Sequence, residues 1–329
     1  MIDLLIHGAT FARVEDRLKA FAEKVRPLVL SPGGAIDAAW GPPLEGEPQP
    51  AIVFANTDVF FSPEIQDFVR LTMATPKLAW FQSSAAGVEH PMLAAFGKKA
   101  EVYTSCHEQA HTIAEWCLWQ ALDVFRDGSA RRADRERKDW KRRQSREIAG
   151  SVWLIYGFGR IGWETARRVR ALGGRVIGVR RSPGPHEHAD EIISPADVTA
   201  RLGEADVVLL TAPHTAETEG LADAAFFAAM REDALFMNVG RGALVVEPDL
   251  LAALDQGRPA FAALDVFATE PLPADSPFWT HPKVALTPHN SAESDNMKHR
   301  VDAVFLANVE RYLNGDPLAH VVPKSAFEG

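Results

Sequence analysis

Three polar residues of this chain, Arg241, Glu270 and His289, each follow a short apolar run of strand length, at residues 234–239, 261–264 and 284–286. An open parallel sheet holds its ligands beyond the carboxyl ends of its strands, so side chains just past such ends can meet a substrate. An imidazole changes charge near neutral pH and is the usual acid or base in proton exchange. A carboxylate beside it raises its pKa and fixes the ring. A guanidinium grips an acid group through two parallel hydrogen bonds. The three together suit proton exchange at an oxygen next to an anchored carboxylate. Taken singly, each residue type is more often a surface ion pair or a cap. Their joint position past three strands argues against that plainer account.

A second constellation supplies the partner chemistry. The stretch Val152-Trp153-Leu154-Ile155-Tyr156 stops at Gly157-Phe158-Gly159-Arg160-Ile161-Gly162, and a helix-patterned segment follows to Gly173-Gly174. Gly157 permits the tight turn, Gly159 lets backbone approach a pyrophosphate, and Gly162 lets the helix pack near the strand. Amides around Arg160 and Ile161, at the helix start, would bind phosphate oxygens. A lone Gly-x-Gly-x-x-Gly is weak, but here strand and helix flank it on the correct sides. The next strand, Val176-Ile177-Gly178-Val179, ends at Arg180-Arg181-Ser182. An NAD site usually places an acidic residue there for the ribose hydroxyls. Two guanidiniums and a hydroxyl instead suit the 2′-phosphate of NADP, with NAD as the lesser alternative.

The elements that must position these groups follow from periodicity. Apolar runs at residues 4–6, 28–30, 52–55 and 78–81 alternate with helix-spaced segments at 11–24 and 63–71, which predicts a parallel sheet covered on both faces. A Pro- and Gly-rich loop spans residues 31–50. The small residues Ser83-Ser84-Ala85-Ala86-Gly87-Val88-Glu89 could expose amides to a carboxylate, or form a plain strand-to-helix turn. Residues 108–126 read as one long helix. The basic run 131–146 reads as a solvated connection or a subunit contact ahead of a nucleic-acid patch, since the chain carries a net charge of -9. A last amphipathic helix over about 294–313 should return to the first domain. We place substrate-binding residues at 1–103 plus 290–329 and the dinucleotide-binding domain at 104–289. A chain of 329 residues comfortably holds two such cores.

These motifs identify a family. Gly157-Phe158-Gly159-Arg160-Ile161-Gly162, Asn238-Val239-Gly240-Arg241-Gly242-Ala243-Leu244, Leu264-Asp265-Val266-Phe267-Ala268-Thr269-Glu270-Pro271-Leu272-Pro273 and Leu286-Thr287-Pro288-His289 together resemble the D-isomer-specific 2-hydroxyacid dehydrogenases, in the branch of glyoxylate and hydroxypyruvate reductases. The resemblance implies an α/β fold of two doubly wound domains, a Rossmann NAD(P)-binding domain and a flavodoxin-like substrate domain. It implies that Arg241 holds the substrate carboxylate and polarises the 2-oxo group. His289 is then the acid in reduction, with Glu270 as its carboxylate partner. Backbone at Ala86 and Gly87 helps hold the substrate. Val239 and Asp265 lie beside the nicotinamide, and Ala212, Pro213 and His214 line the cofactor groove. The substrate expected is a small 2-oxo or 2-hydroxy acid, and a homodimer is the family expectation.

Two departures bear on that transfer. Arg180 stands where the family usually has Asp, and Ser105-Cys106-His107-Glu108-Gln109-Ala110-His111 lacks the small-residue pattern expected at a helix start, so His107 or His111 could shape the substrate pocket. A zinc pair at 107 and 111 lacks an evident third ligand, so no metal is expected. The segment His186-Glu187-His188 reads as an exposed polar loop, and Trp279 as structural or as bordering the active site. Formate and phosphite dehydrogenases resemble the same fold. Formate oxidation needs no proton relay, so Glu270 disfavours it, while phosphite oxidation stays open, as does a coenzyme-sensing corepressor-like role. Two cysteines, 106 and 117, are too few for a disulfide framework and suit a reducing, cytoplasmic setting. The first residues lack a basic segment and read as a strand, and no apolar run reaches membrane-spanning length, so neither a membrane nor nucleic acid is an expected partner.

Overall fold

The computed structural model describes residues 1–88 and 90–327, so Glu89, the end of the small-residue stretch, lies outside the described residues. The chain divides into two compact units, Met1–Gln109 with Ser294–Gly329, and Ala110–Glu293. The boundary drawn at 103 would cut the strand Val102–Thr104, whose residues Val102 and Tyr103 pair with Trp80 and Phe81 in the first sheet. That strand is not marked in the sequence because Val102-Tyr103-Thr104 is not a run of aliphatic residues.

Among the described residues the first unit holds six strands: β1 Ile2–His7, β2 Val25–Leu30, β3 Ile36–Ala38, β4 Ile52–Ala55, β5 Trp80–Ser83 and β6 Val102–Thr104. Their order is β3-β2-β1-β4-β5-β6, and all pairs are parallel except β2 with β3. The wholly parallel sheet expected from the sequence is thus corrected at one edge, where the Pro- and Gly-rich loop folds back as β3. The chain order around β1 is the flavodoxin-like one. Alternation along the strands sends Leu5, Val53 and Phe81 into one core and Leu4, Ile6, Phe54 and Trp80 into another. Both faces are therefore covered, as a parallel sheet requires. The final helix, Met297–Asn314, lies on the second face, where the Phe305 ring stacks on Phe54 at 3.9 Å.

The second unit holds seven strands: β7 Val152–Tyr156, β8 Arg175–Val179, β9 Glu191–Ile193, β10 Val207–Leu210, β11 Leu235–Asn238, β12 Phe261–Leu264 and β13 Val284–Leu286. They run β13-β12-β11-β10-β7-β8-β9, all parallel, the Rossmann order with one strand added. Leu154, Ile177 and Val208 face one core, Trp153, Val176 and Val207 the other. The long helix Gln109–Phe125 covers the second face through Ile113, Cys117 and Phe125. The basic run that follows is partly helical, over Gly128–Glu136. Among the described residues no helix is long and apolar enough to cross a membrane.

One ionic cluster ties the final helix to the first unit. Arg13 reaches Asp58 at 2.5 Å and Asp302 at 2.8 Å, and Lys298 reaches Asp58 at 2.8 Å. Burial would push the Asp58 carboxyl up, but hydrogen bonds from Lys298, Arg13 and Thr10 outweigh it and hold the group at about 2. Burial prevails at Asp302 and raises it despite Arg13. A depressed carboxyl adds stability above its unfolded pKa, and that contribution fades as pH falls toward 2. The raised Asp302 works the other way, costing stability at neutral pH. Arg13→Met leaves two buried carboxylates under-compensated and should cost about 3 kcal/mol in urea unfolding at pH 7. Adding Asp302→Asn should recover part of that loss. An unchanged urea midpoint for Arg13→Met would show that the cluster is not stabilising.

Candidate active site

Each of the three expected polar residues sits on a turn whose conformation its neighbours dictate. Past β11, the buried Asn238 accepts from the Gly240 amide at 3.0 Å and donates through Nδ2 to the Arg241 carbonyl at 2.9 Å. This staple closes the turn that presents the half-buried Arg241, whose Nη1 also donates to the Gly240 carbonyl at 2.8 Å. Gly242 follows because nothing larger fits: a Cβ there would lie 1.9 Å from the Phe267 carbonyl carbon. The Arg241 turn thus abuts the loop that carries Glu270.

Past β12 comes Asp265, 2 % exposed, whose carboxylate accepts from Thr287 Oγ1 at 2.5 Å and from the amides of Asn290 and Ser291 at 3.0 and 3.1 Å. It also takes the Ser291 hydroxyl. The His289 amide donates to the Asp265 carbonyl at 2.8 Å. The loop past β13 is therefore wrapped around one buried carboxylate, which holds His289 at φ 51°, a left-handed backbone that a non-glycine residue rarely adopts. Asp265, which the resemblance sets beside a nicotinamide, has a second task visible here: its carboxylate gathers loop 287–291 and so clamps the histidine turn. Sequence spacing could not reveal that, since the partners are main-chain amides.

The histidine so presented meets its carboxylate. Nδ1 of His289 lies 2.7 Å from Glu270 Oε2, while Oε1 of Glu270 accepts from the Phe267 amide at 2.9 Å. An ionised carboxylate only accepts, so Nδ1 carries the hydrogen and Nε2 is the nitrogen able to exchange a proton. Both side chains stay partly open to solvent, 35 % for Glu270 and 52 % for His289. Glu247 braces the same loop by accepting from the Ala268 amide at 2.8 Å.

The glycine-rich turn lies at the switch point of the sheet, where β7 neighbours both β8 and β10. Gly157 has φ 94°, and a Cβ on it would meet the Ala212 amide at 2.4 Å. A Cβ on Gly162 would meet the Gly157 carbonyl at 2.8 Å, whereas one on Gly159 would project into open space. Two glycines therefore serve close packing and the third leaves room above the start of the helix Arg160–Ala171. Amides of that first turn, including Ile161, have no acceptor within the helix. A cavity of about 530 Å³ opens there, bordered by Gly157, Gly159, Arg180, Arg181, Ala212 and Pro213. This cradle fits a dinucleotide: backbone room for the pyrophosphate at one end, two guanidiniums at the other. The Ser182 carbonyl accepts from Arg180 Nε at 2.7 Å.

Other expected residues fall elsewhere. His214 stands between Pro213 and Thr215, which both border this cavity, and its Nε2 lies 3.7 Å from Glu219. Val239 is buried at the end of β11. Ala86 and Gly87 lie in the first unit beyond β5, in a turn that Ser83 Oγ closes by accepting from the Ala85 amide at 3.0 Å. His107 and His111 belong to different units; His107 stands against His320 and His111 against Glu164 at 3.4 Å. No group of residues among those described could hold a metal ion. The 186–188 loop is exposed at Glu187 but half-buried at both histidines: His186 sits edge-on to Phe158 at 5.0 Å, and His188 stacks on Trp163 at 5.4 Å. A polar composition hid an aromatic cluster.

Comparison with known proteins matches the D-isomer specific 2-hydroxyacid dehydrogenase, NAD binding domain model over residues 118–291. The chain belongs to the D-isomer specific 2-hydroxyacid dehydrogenase family. Among its relatives is glyoxylate/hydroxypyruvate reductase A of Serratia proteamaculans (strain 568), 34% identical over 183 residues, which are 56% of this chain and 58% of that protein. The glyoxylate reductase/hydroxypyruvate reductase of Homo sapiens is 34% identical over 168 residues, 50% of each chain. The chain thus spans about half the length of the curated relatives it matches. Among solved structures, the NADPH-dependent glyoxylate/hydroxypyruvate reductase of Sinorhizobium meliloti, in complex with NADP and sulfate, superposes with a TM-score of 0.77 at 27% identity, covering 99% of both chains.

The close fit at Gly242 gives a direct check. Gly242→Ala forces a methyl into the Phe267 main chain, and overpacking of this kind costs about 2 kcal/mol. Thermal unfolding should therefore occur several degrees lower than in the wild type, whereas Gly159→Ala, facing open space, should leave the midpoint nearly unchanged. Equal midpoints for both variants would mean that the two loops are not in contact.

Proposed function

We propose that the protein is an NADP-preferring reductase of small 2-oxo acids of the glyoxylate and hydroxypyruvate type, yielding the D-2-hydroxy acid where a stereocentre forms. The observation that carries this reading is the 2.7 Å contact of Glu270 with His289, on a loop adjoining the Arg241 turn. The named relatives and the NADP complex of the Sinorhizobium meliloti enzyme support it.

When bound, the nicotinamide supplies the hydride that the substrate gains at C2. The chain's own residues do the remainder. Arg241 anchors the substrate carboxylate in a two-pronged pairing and draws electron density from the adjacent carbonyl. His289 gives the Nε2 proton to the carbonyl oxygen, which becomes the hydroxyl. Glu270 keeps the ring in the needed tautomer and stabilises the cation before the proton leaves. Amides of Ala86 and Gly87 assist in holding the carboxylate. Arg180 and Arg181 take the 2′-phosphate, with Gly157, Gly159, Arg160, Ile161 and Gly162 along the pyrophosphate, and Val239, Ala212 and Pro213 along the groove. The unit Met1–Gln109 with Ser294–Gly329, which takes in the expected 1–103 and all of β6, serves as the substrate domain in this reading.

The exposed apolar side chains Trp119 and Leu122, on the helix Gln109–Phe125, suit contact with a second copy, so we assign a homodimer. A cytoplasmic setting suits a chain whose two cysteines are both buried. Phosphite and formate oxidation are tested in the same assay as the 2-oxo acids.

Absorbance of reduced nicotinamide with glyoxylate, hydroxypyruvate, formate and phosphite, each with both coenzymes, tests the reading. Fast oxidation of NADPH with the 2-oxo acids alone supports it, and turnover with phosphite alone overturns it. Arg241→Ala should lower kcat and raise KM together, since the guanidinium serves both bound states. A kcat/KM near wild type would refute its role. His289→Gln should lower kcat by about 10²-fold or more and flatten the pH profile of kcat, with KM little altered. An unaltered profile would contradict the assignment. Arg180→Asp should raise the KM for NADPH by tenfold or so while sparing NADH, as loss of one charge-assisted pairing implies. Equal losses with both coenzymes would remove the 2′-phosphate role.

A further inference from the structure

Beside the Glu270–His289 pair, within the same unit, lies a cavity of about 450 Å³ that the small acids named above would leave nearly empty. Its remaining wall is apolar, formed by Leu272, Trp279, Leu286 and Pro288 among others. Trp279 is the telling member. Its Nε1 donates to the Pro273 carbonyl at 2.8 Å, so the indole needs no polar partner from a ligand. The preceding Phe278 is buried and packs on Phe267 with ring centroids 5.7 Å apart, which fixes the short turn Pro277–Trp279. Yet Trp279 as a whole residue is 48% exposed. A rigid, half-exposed indole whose donor is already satisfied offers an apolar face to whatever enters. An apolar cavity with a few ionisable groups at one wall is the usual form of a small-molecule site.

We propose that this cavity receives the substituent on the substrate's third carbon, and that the protein favours 2-oxo acids bearing an aryl or branched alkyl group there. Trp279 and Leu272 are its specificity-determining residues. The inference rests on the reductase reading, keeping its reaction and its acid group while replacing glyoxylate and hydroxypyruvate by a bulkier substrate class. Glyoxylate, which has no third carbon, is its internal reference. The reaction is unchanged: C2 gains a hydride, its oxygen gains a proton, and the apolar substituent takes no part beyond binding.

The test compares kcat/KM for phenylpyruvate and 4-methyl-2-oxopentanoate with that for glyoxylate, in the wild type, Trp279→Ala and Leu272→Glu. Calorimetric titration of the NADP-loaded protein with 3-phenyllactate and with glycolate is run in parallel. The wild type should prefer the apolar acids by about tenfold or more, the range that a hydrophobic pocket supplies. Each variant should erase roughly tenfold of that preference and weaken 3-phenyllactate binding relative to glycolate by a similar factor. A wild type that favours glyoxylate, or a preference and a binding ratio unaltered in both variants, overturns the proposal while leaving the reductase intact. If no 2-oxo acid is reduced, the reductase reading fails, and equal affinity of wild type and variants for 3-phenyllactate then removes the cavity's role as well.

Discussion

The structure of the candidate site depends on one buried carboxylate. Asp265 offers two oxygens and a carbonyl at the end of β12, and the loop past β13 spends its main-chain donors on them. Without that wrapping, nothing evident in the local sequence would hold His289 in a left-handed backbone. With it, the ring is delivered to Glu270, and the tautomer follows from the carboxylate's inability to donate. A proton-exchanging group thus arises from two shells of charge, an inner carboxylate that folds the loop and an outer one that orients the ring.

Close packing carries the second half of the design. Gly242 against Phe267 and Gly157 against Ala212 bring loops from neighbouring strands nearer than any side chain would permit. Both contacts occur at the carboxyl ends of strands in one parallel sheet, where backbone amides and carbonyls cluster. The chemistry is therefore held by main chain on a rigid scaffold, and side chains need supply only charge. That division explains why Arg241, Glu270 and His289 can be so far apart in sequence and still belong to adjoining loops.

Much of this was legible in the residues. Strands such as Val152–Tyr156 and Val207–Leu210 are apolar on both faces, and the glycine spacing after Tyr156 has a mechanical reason at each position. The pairing of Glu270 with His289 was expected from chemistry and is seen as a contact. What escaped has physical causes. The strands β3, β6 and β9 are three residues long and each includes a polar residue, so unlike the wholly apolar β13 they show no apolar run. Loop 186–188 looks polar because its histidines bury ring faces, not charge, against Phe158 and Trp163. The clamp at Asp265 uses amides, which no side-chain pattern records.

The protonation pattern of His289 is the property on which the catalytic account turns, and it can be observed without any substrate. Long-range ¹H–¹⁵N correlation of the imidazoles, with His289 assigned by its loss in His289→Gln, reports which nitrogen bears the hydrogen in the neutral ring. The account predicts a hydrogen on Nδ1 and an Nε2 that takes up a proton as pH falls. A neutral ring protonated at Nε2 would contradict it, because Nδ1 would then have no hydrogen to give Glu270 and the nitrogen left to take up a proton would be the one held against the carboxylate.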